Sequence, residues 1–152
     1  PHRQASANHS SGGFALLDET TTQGGLMRAV VEAIAFTFVD AMRALVSAGT
    51  TPGRLMAIGG GTRSDFLMQM ISDVTGLSIG RADNASVGPA LGAAKLACIC
   101  VGSDPVLCLR KPKVDQWFEP MRDSDAGLRR RYAGFRALYP GLKAVQTDAD
   151  QP

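Results

Sequence analysis

Between Leu26 and Ala48 the apolar residues Leu26, Met27, Val30, Val31, Ile34, Phe36, Phe38, Val39, Met42, Leu45 and Val46 cover most of a helical circumference, leaving a polar stripe at Arg28, Glu32, Asp40 and Arg43. Such a pattern predicts a helix buried on most sides, closed by Gly49. Thr50, Thr51, Pro52 and Gly53 are turn residues, and the short run Leu55 to Ile58 is a buried strand candidate. Gly59, Gly60, Gly61, Thr62 and Arg63 separate it from a second helix, for which Ser64 is the N-cap, Phe66, Leu67, Met70, Ile71 and Val74 the core face, and Gly76 the end. Leu77 to Gly80 is a second strand and Arg81 to Ser86 a loop. Val87 to Ala97 follows as a helix whose small residues allow close approach, with Pro89 in its first turn and Gly102 after it. No third strand is predicted beyond that point, apart from a weak candidate earlier in the chain at Phe14 to Leu17. Arg110, Lys111, Lys113, Trp117 and Phe118 read as loop. A last helix starts near Ser124, carries Leu128, Tyr132, Phe135, Leu138 and Tyr139 at helical spacing, and stops at Pro140.

Composition narrows the function classes. A chain of 152 residues, 45% hydrophobic, with 16 basic and 14 acidic side chains and a net charge of +2, fits one domain and excludes a charged disordered tail. The basic clusters Arg110 to Lys113 and Arg129 to Arg131 read as solvated surface, so no nucleic-acid partner is expected. The longest apolar stretch, Pro89 to Val101, is short and broken by Lys95, so no membrane partner is expected either. No secretory signal is read, which points to the cytoplasm. Cys98, Cys100 and Cys108 form no disulfide framework and, with His2 and His9 far away, no zinc site; they are expected to be buried thiols, and no metal ligand is assigned.

The glycine triplet is the chemically informative feature. A strand ending in three glycines before a helix offers unobstructed backbone N–H groups and a positive dipole end, an arrangement suited to a nucleotide. The phosphate-binding P-loop does not fit, because its Lys-Ser/Thr slot holds Ser64 and Asp65. The dinucleotide fingerprint fits better, lacking only its last glycine and having Asp83 after the second strand in the place of a ribose-binding acid.

Three segments in order, Ala57-Ile58-Gly59-Gly60-Gly61-Thr62-Arg63-Ser64, Gln69 to Gly76, and Val87-Gly88-Pro89-Ala90-Leu91-Gly92-Ala93-Ala94, together with Leu138-Tyr139-Pro140-Gly141-Leu142-Lys143, resemble the nucleotide-binding half of the FGGY carbohydrate kinases. The resemblance implies an α/β fold, part of the C-terminal lobe of the actin/hexokinase-like (ribonuclease H-like) superfold. It also implies ATP and Mg2+ as cofactors and phosphorylation of a sugar hydroxyl, with D-xylulose the expected substrate. Carried over by position, Gly59, Gly60 and Gly61 would lie against adenosine and phosphates, Arg63 would reach a phosphate, Ser64 would sit near the base and Gln69 would face the same cleft. Beside these stand plainer readings: Ser64 as helix cap, Gln69 and Arg63 as solvated side chains. Val87 to Ala94 would pack beside the pocket.

Leu16 stands where the family usually has a glycine, in a Gly-x-Phe-x-Gly-Leu stretch. By the same resemblance the general base and the sugar site precede this chain, so no catalytic residue is assigned, the missing N-terminal lobe is the expected partner, and the chain alone is expected to be inactive. A homodimer is left open. The implied organisation is a leader or truncated segment over 1–13, an incomplete C-terminal lobe over 14–143 and a disordered tail over 144–152. Two alternatives remain at this point: a dinucleotide-binding (Rossmann-like) oxidoreductase fragment and a non-catalytic helical interaction module.

Overall fold

The computed structural model describes residues 13–83, 85, 88–121 and 125–149. The leader expected over 1–13, with His2 and His9, lies outside the described residues except for Gly13, as do Ser86, Val87 and Ser124. The elements in chain order are α1 (Gln23–Ser47), β1 (Arg54–Ala57), a 3-10 turn (Gly60–Arg63), α2 (Asp65–Thr75), β2 (Ser78–Ala82), α3 (Gly88–Cys100), α4 (Pro105–Cys108), β3 (Val114–Phe118) and α5 (Asp125–Ala149).

Local chemistry sets most of these boundaries. Thr22 caps α1 by accepting from the Gly25 N–H at 3.1 Å, three residues ahead of the expected start. At the other end Gly49 takes φ +87° and the Thr50 N–H reaches back to the Leu45 carbonyl at 2.9 Å, a Schellman-type stop that a residue with a Cβ resists. The Ser64 hydroxyl caps α2 through the Leu67 N–H, and Gly76, in the left-handed region, ends it.

Strand β2 is central in a sheet of order β1-β2-β3. It runs parallel to β1, with Leu55 opposite Ile79, and antiparallel to β3, with Ile79 opposite Phe118. The segment expected to be loop around Trp117 is therefore a third strand. Its sequence hides it because only Phe118 is buried, while Asp115, Gln116 and Trp117 are exposed, so alternation is lost. Backbone pairing with β2 and the Trp117 ring over Gly80 hold it in place: a Cβ on Gly80 would fall 2.9 Å from that ring. The Arg54 guanidinium lies 4.9 Å from the same ring's centroid, linking the outer strands across one face.

The core forms where α1, α2 and α5 meet the sheet: Ala35, Met68, Met70, Ile71, Ile79, Phe118 and Leu128. Met68 is buried and Phe66 is 54% exposed, which reverses the expected membership of those two positions; Met68 stands one turn before buried Ser72, on the side of α2 that the sheet covers. Ser72, fully buried, places its hydroxyl 2.9 Å from the carbonyls of both Leu77 and Phe118, tying α2 to β3.

Helix α1 inverts the expected arrangement. Its polar stripe is the side that packs on α5: buried Glu32 accepts from Arg28 Nε at 2.9 Å and Arg131 Nε at 2.8 Å. Asp40 accepts from the Tyr132 hydroxyl, and the Arg43 guanidinium stands 4.9 Å over the Tyr132 ring. Phe36, between them, meets Tyr132 and Phe135 with ring centroids 5.4 and 5.5 Å away. The opposite face, with Val30, Ile34 and Phe38, is exposed rather than buried. Long basic side chains from α5 can satisfy acids on the inner face, whereas no described element lies over the outer one.

Four further expectations change. Phe14 to Leu17 is not a strand, and Leu16 is 93% exposed with φ +58°. Cys98 and Cys100 are exposed rather than buried, because α3 packs at the margin of the described residues, chiefly on α4. Pro140 lies within α5, which continues through Ala149, so it neither stops the helix nor leaves 144–149 without structure. Its ring removes one helical hydrogen bond.

Candidate functional site

The glycine loop is held at both ends and open between them. The Gly59 N–H donates to the Ala85 carbonyl at 2.6 Å, and the buried Thr62 hydroxyl donates to the Gly59 carbonyl at 2.7 Å. Gly59 has φ +102° and is required as glycine by the turn itself. Gly61 would bring a Cβ to 3.4 Å of Leu67, an ordinary contact. Gly60 differs from both: its φ is not in the left-handed region, and a Cβ there meets nothing within 4 Å. Nothing inside the described chain calls for glycine at that position.

The loop forms the rim of an apolar cleft of about 550 Å³ walled by Ile34, Phe38, Met42, Leu55 and Ile79. On the other side of Thr62 lies a polar cleft of about 410 Å³ lined by Arg63, Arg81, Asp83, Ala85 and Asp115. Of the six residues expected at the nucleotide, Gly59, Gly60 and Gly61 stay together, while Arg63 stands in the adjoining polar cleft and Ser64 has its hydroxyl engaged as helix cap. Gln69 is not brought to the loop. Its amide donates to Asp73 Oδ1 at 2.9 Å and to the Glu119 carbonyl at 2.8 Å, in a third cleft with Arg28 and Arg131. Five residues past Ser64, it has turned to another side of α2, which explains the displacement.

The N-terminus of α3 approaches the loop closely, as its small residues predict: a Cβ on Gly88 would lie 3.0 Å from Ile58 Cβ and Cδ1. Asp83 is exposed and donates its N–H to the Lys113 carbonyl at 2.8 Å. The strand that continues the sheet past β2 is antiparallel, unlike the parallel continuation a dinucleotide fold requires. Among the described residues no group of three or more His, Cys, Asp or Glu could hold a metal ion, and no helix is long and apolar enough to cross a membrane.

The sequence pattern of the FGGY family of carbohydrate kinases, C-terminal domain, matches residues 3–101. The chain belongs to this kinase family. Xylulose kinase of Escherichia coli K12 is 34% identical to it over 119 residues, which are 77% of this chain and 25% of that protein. Glycerol kinase of Koribacter versatilis is 32% identical over 133 residues, 86% of this chain and 26% of that protein. A crystal structure of a xyloylose kinase from Brucella ovis superposes with a TM-score of 0.77 at 32% identity, covering 90% of this chain and 28% of the other. The FGGY chain thus has the actin/hexokinase-like α/β fold of its C-terminal domain, and it spans between a quarter and a third of the length of these relatives.

Sequence reasoning missed Arg81 and Ser72, the two polar groups that fasten this site to the sheet. A lone arginine within an otherwise apolar strand was a usable signal for the first; a serine among apolar helix residues carries none.

Proposed function

We propose that this chain supplies the adenosine side of the ATP site in a kinase that phosphorylates D-xylulose to D-xylulose 5-phosphate. Gly60 carries the reading. Neither backbone conformation nor packing fills the space beside it, so bare backbone faces outward there, and a flat base, ribose or phosphate is the kind of group that can approach it closely. Gly59 and Gly61 border the same opening, and Arg63 supplies a cation in the adjoining cleft. In this reading Ser64 acts through the cap that fixes the loop's exit, and Gln69 acts structurally.

ATP fits the bare loop. Mg2+ would ride on its phosphates, held by groups outside the described residues. ATP supplies the transferable phosphoryl group, while this chain's residues bind and orient the nucleotide; phosphoryl transfer is governed by positioning and charge neutralisation, and the base and sugar pocket belong to the missing lobe. That lobe has a place to dock. The outer edge of β1 is unpaired among the described strands, and the outer face of α1, with Ile34 and Phe38, opens beside it. The reading places the protein in the cytoplasm, where ATP is available.

D-xylulose is favoured by the xylulose kinases among the similar sequences and structures; glycerol is the second substrate, because glycerol kinases stand among them at comparable identity. The test combines the chain with the separately produced preceding part of the Escherichia coli relative and follows ADP release with Mg2+ and each substrate. ADP release that depends on D-xylulose, with none from the chain alone, is expected. Release with glycerol only would reassign the substrate, and calorimetric binding of NADP but not ATP would reject the kinase reading for this site.

A further inference from the structure

We propose that Arg81 is a positioning residue that clamps the exit of the glycine loop to the sheet. It rises from the central strand β2 with its side chain 20% exposed, and its guanidinium reaches groups on both sides. Nη1 donates to the Thr62 carbonyl at 3.2 Å and to Asp65 Oδ1 at 2.6 Å, at the last turn of the loop and the first residue of α2. Nε donates to Asp115 Oδ2 at 3.2 Å and Nη2 to Gln116 Oε1 at 2.6 Å, both on β3. The Phe118 ring lies 5.6 Å beneath the cation.

Taken singly, these contacts resemble surface pairs of small value, since Asp65 and Asp115 are more than half exposed. Their geometry makes them a unit. One planar group, with its donors in a fixed fork, joins β2, β3, the loop and the start of α2, and only a guanidinium can address four acceptors at once. The segment it restrains needs restraint, because three consecutive glycines lose more backbone freedom on ordering than other residues do. The loop's entry is fixed by Gly59 on Ala85 and its middle by Thr62 on Gly59; Arg81 fixes its exit. Through the loop, the clamp presets the surface that meets the nucleotide, a consequence that rests on the function proposed above, whereas the restraint on the loop does not.

The test is hydrogen exchange on the full chain, comparing wild type with Arg81→Met, Arg81→Lys and Asp65→Asn, with ATP affinity of the reconstituted kinase measured alongside. Arg81→Met is expected to speed exchange at Thr62 and Ser64, whose N–H groups donate to the Gly59 and Gly61 carbonyls, at least tenfold while the amides of α1 and α5 keep their rates, with Arg81→Lys and Asp65→Asn intermediate. ATP affinity should fall several-fold in the same order. Unchanged loop exchange, or an equal acceleration over the whole chain, overturns the clamp. If Arg81→Met does not fold, the two milder variants decide by the same criterion. Loop exchange that responds as expected while ATP fails to bind even the wild type would leave the clamp standing and remove the nucleotide reading.

Discussion

Replacing Gly60 with alanine separates what the fold requires from what a ligand requires. In the 3-10 turn its backbone suits any L-residue and the added methyl meets no atom within 4 Å, so the native state loses nothing. The unfolded chain loses freedom, and the expected result is unchanged stability or a gain of about 0.4–1 kcal/mol. Gly88→Ala is the contrasting variant. Its methyl would sit 3.0 Å from two atoms of Ile58, which must shift to admit it, so Gly88→Ala should come out about 1 kcal/mol less stable than Gly60→Ala. Thermal unfolding of the purified chain distinguishes the two. If a nucleotide lies on the loop, the Gly60 methyl occupies its space, and an overlap penalty of about 1.4 kcal/mol would weaken ATP about tenfold, with valine weakening it further. Calorimetric titration of the reconstituted kinase with ATP reads that change, and sugar affinity serves as the control. ATP affinity unaltered by both alanine and valine would refute the reasoning, as would a Gly60→Ala chain destabilised as much as Gly88→Ala.

Other consequences are independent of the nucleotide. Ile34→Asp should destabilise the chain by about 1 kcal/mol, the burial lost by a side chain 44% exposed, without unfolding it, yet abolish reconstitution with the preceding part of the kinase in a pull-down or activity assay; loss of folding in the isolated chain would mean that this face is covered. Burial, followed by the hydrogen bond to Asp40, raises the Tyr132 pKa above the usual 10. The unfolded state therefore gives up this proton first: stability is intact below pH 10 and declines as pH rises through the folded-state value, and Tyr132→Phe should flatten that part of the Tm profile. Leu16→Gly should stabilise the segment before α1 by about 1 kcal/mol, because φ +58° is unfavourable for leucine; hydrogen exchange at Leu17 and Asp18 would report it, and unchanged rates would place the strain elsewhere.

What was legible in the sequence was local. Gly49, Ser64 and Gly76 end or cap helices by bonds made within a few residues, so their types announce their roles. The glycine loop was legible for the same reason. Strand β3 was not, because it exists through pairing with β2, more than thirty residues earlier, and only Phe118 among its residues turns into the core. The burial of α1 was misread because periodicity identifies faces without saying what covers each; Glu32 looks solvated until Arg131 arrives from nearly a hundred residues away. The family likeness suggested the role proposed for the loop but set Gln69 beside it, whereas Gln69 bonds Asp73 on its own helix and the Glu119 carbonyl just past the end of β3.

The β1 edge, unpaired among the described strands, and the apolar outer face of α1 beside it also govern how this polypeptide behaves while both are uncovered. Strand edges and apolar faces of this kind are what chaperones hold and what copies of a chain pair through, at a rate that rises with concentration. Met56, Ile58, Ile34 and Phe38 are the exposed apolar residues at this edge and face, and a net charge of +2 does little to keep copies apart. Supplying the preceding lobe during synthesis should raise the soluble yield more than any charged substitution on the already solvated surface.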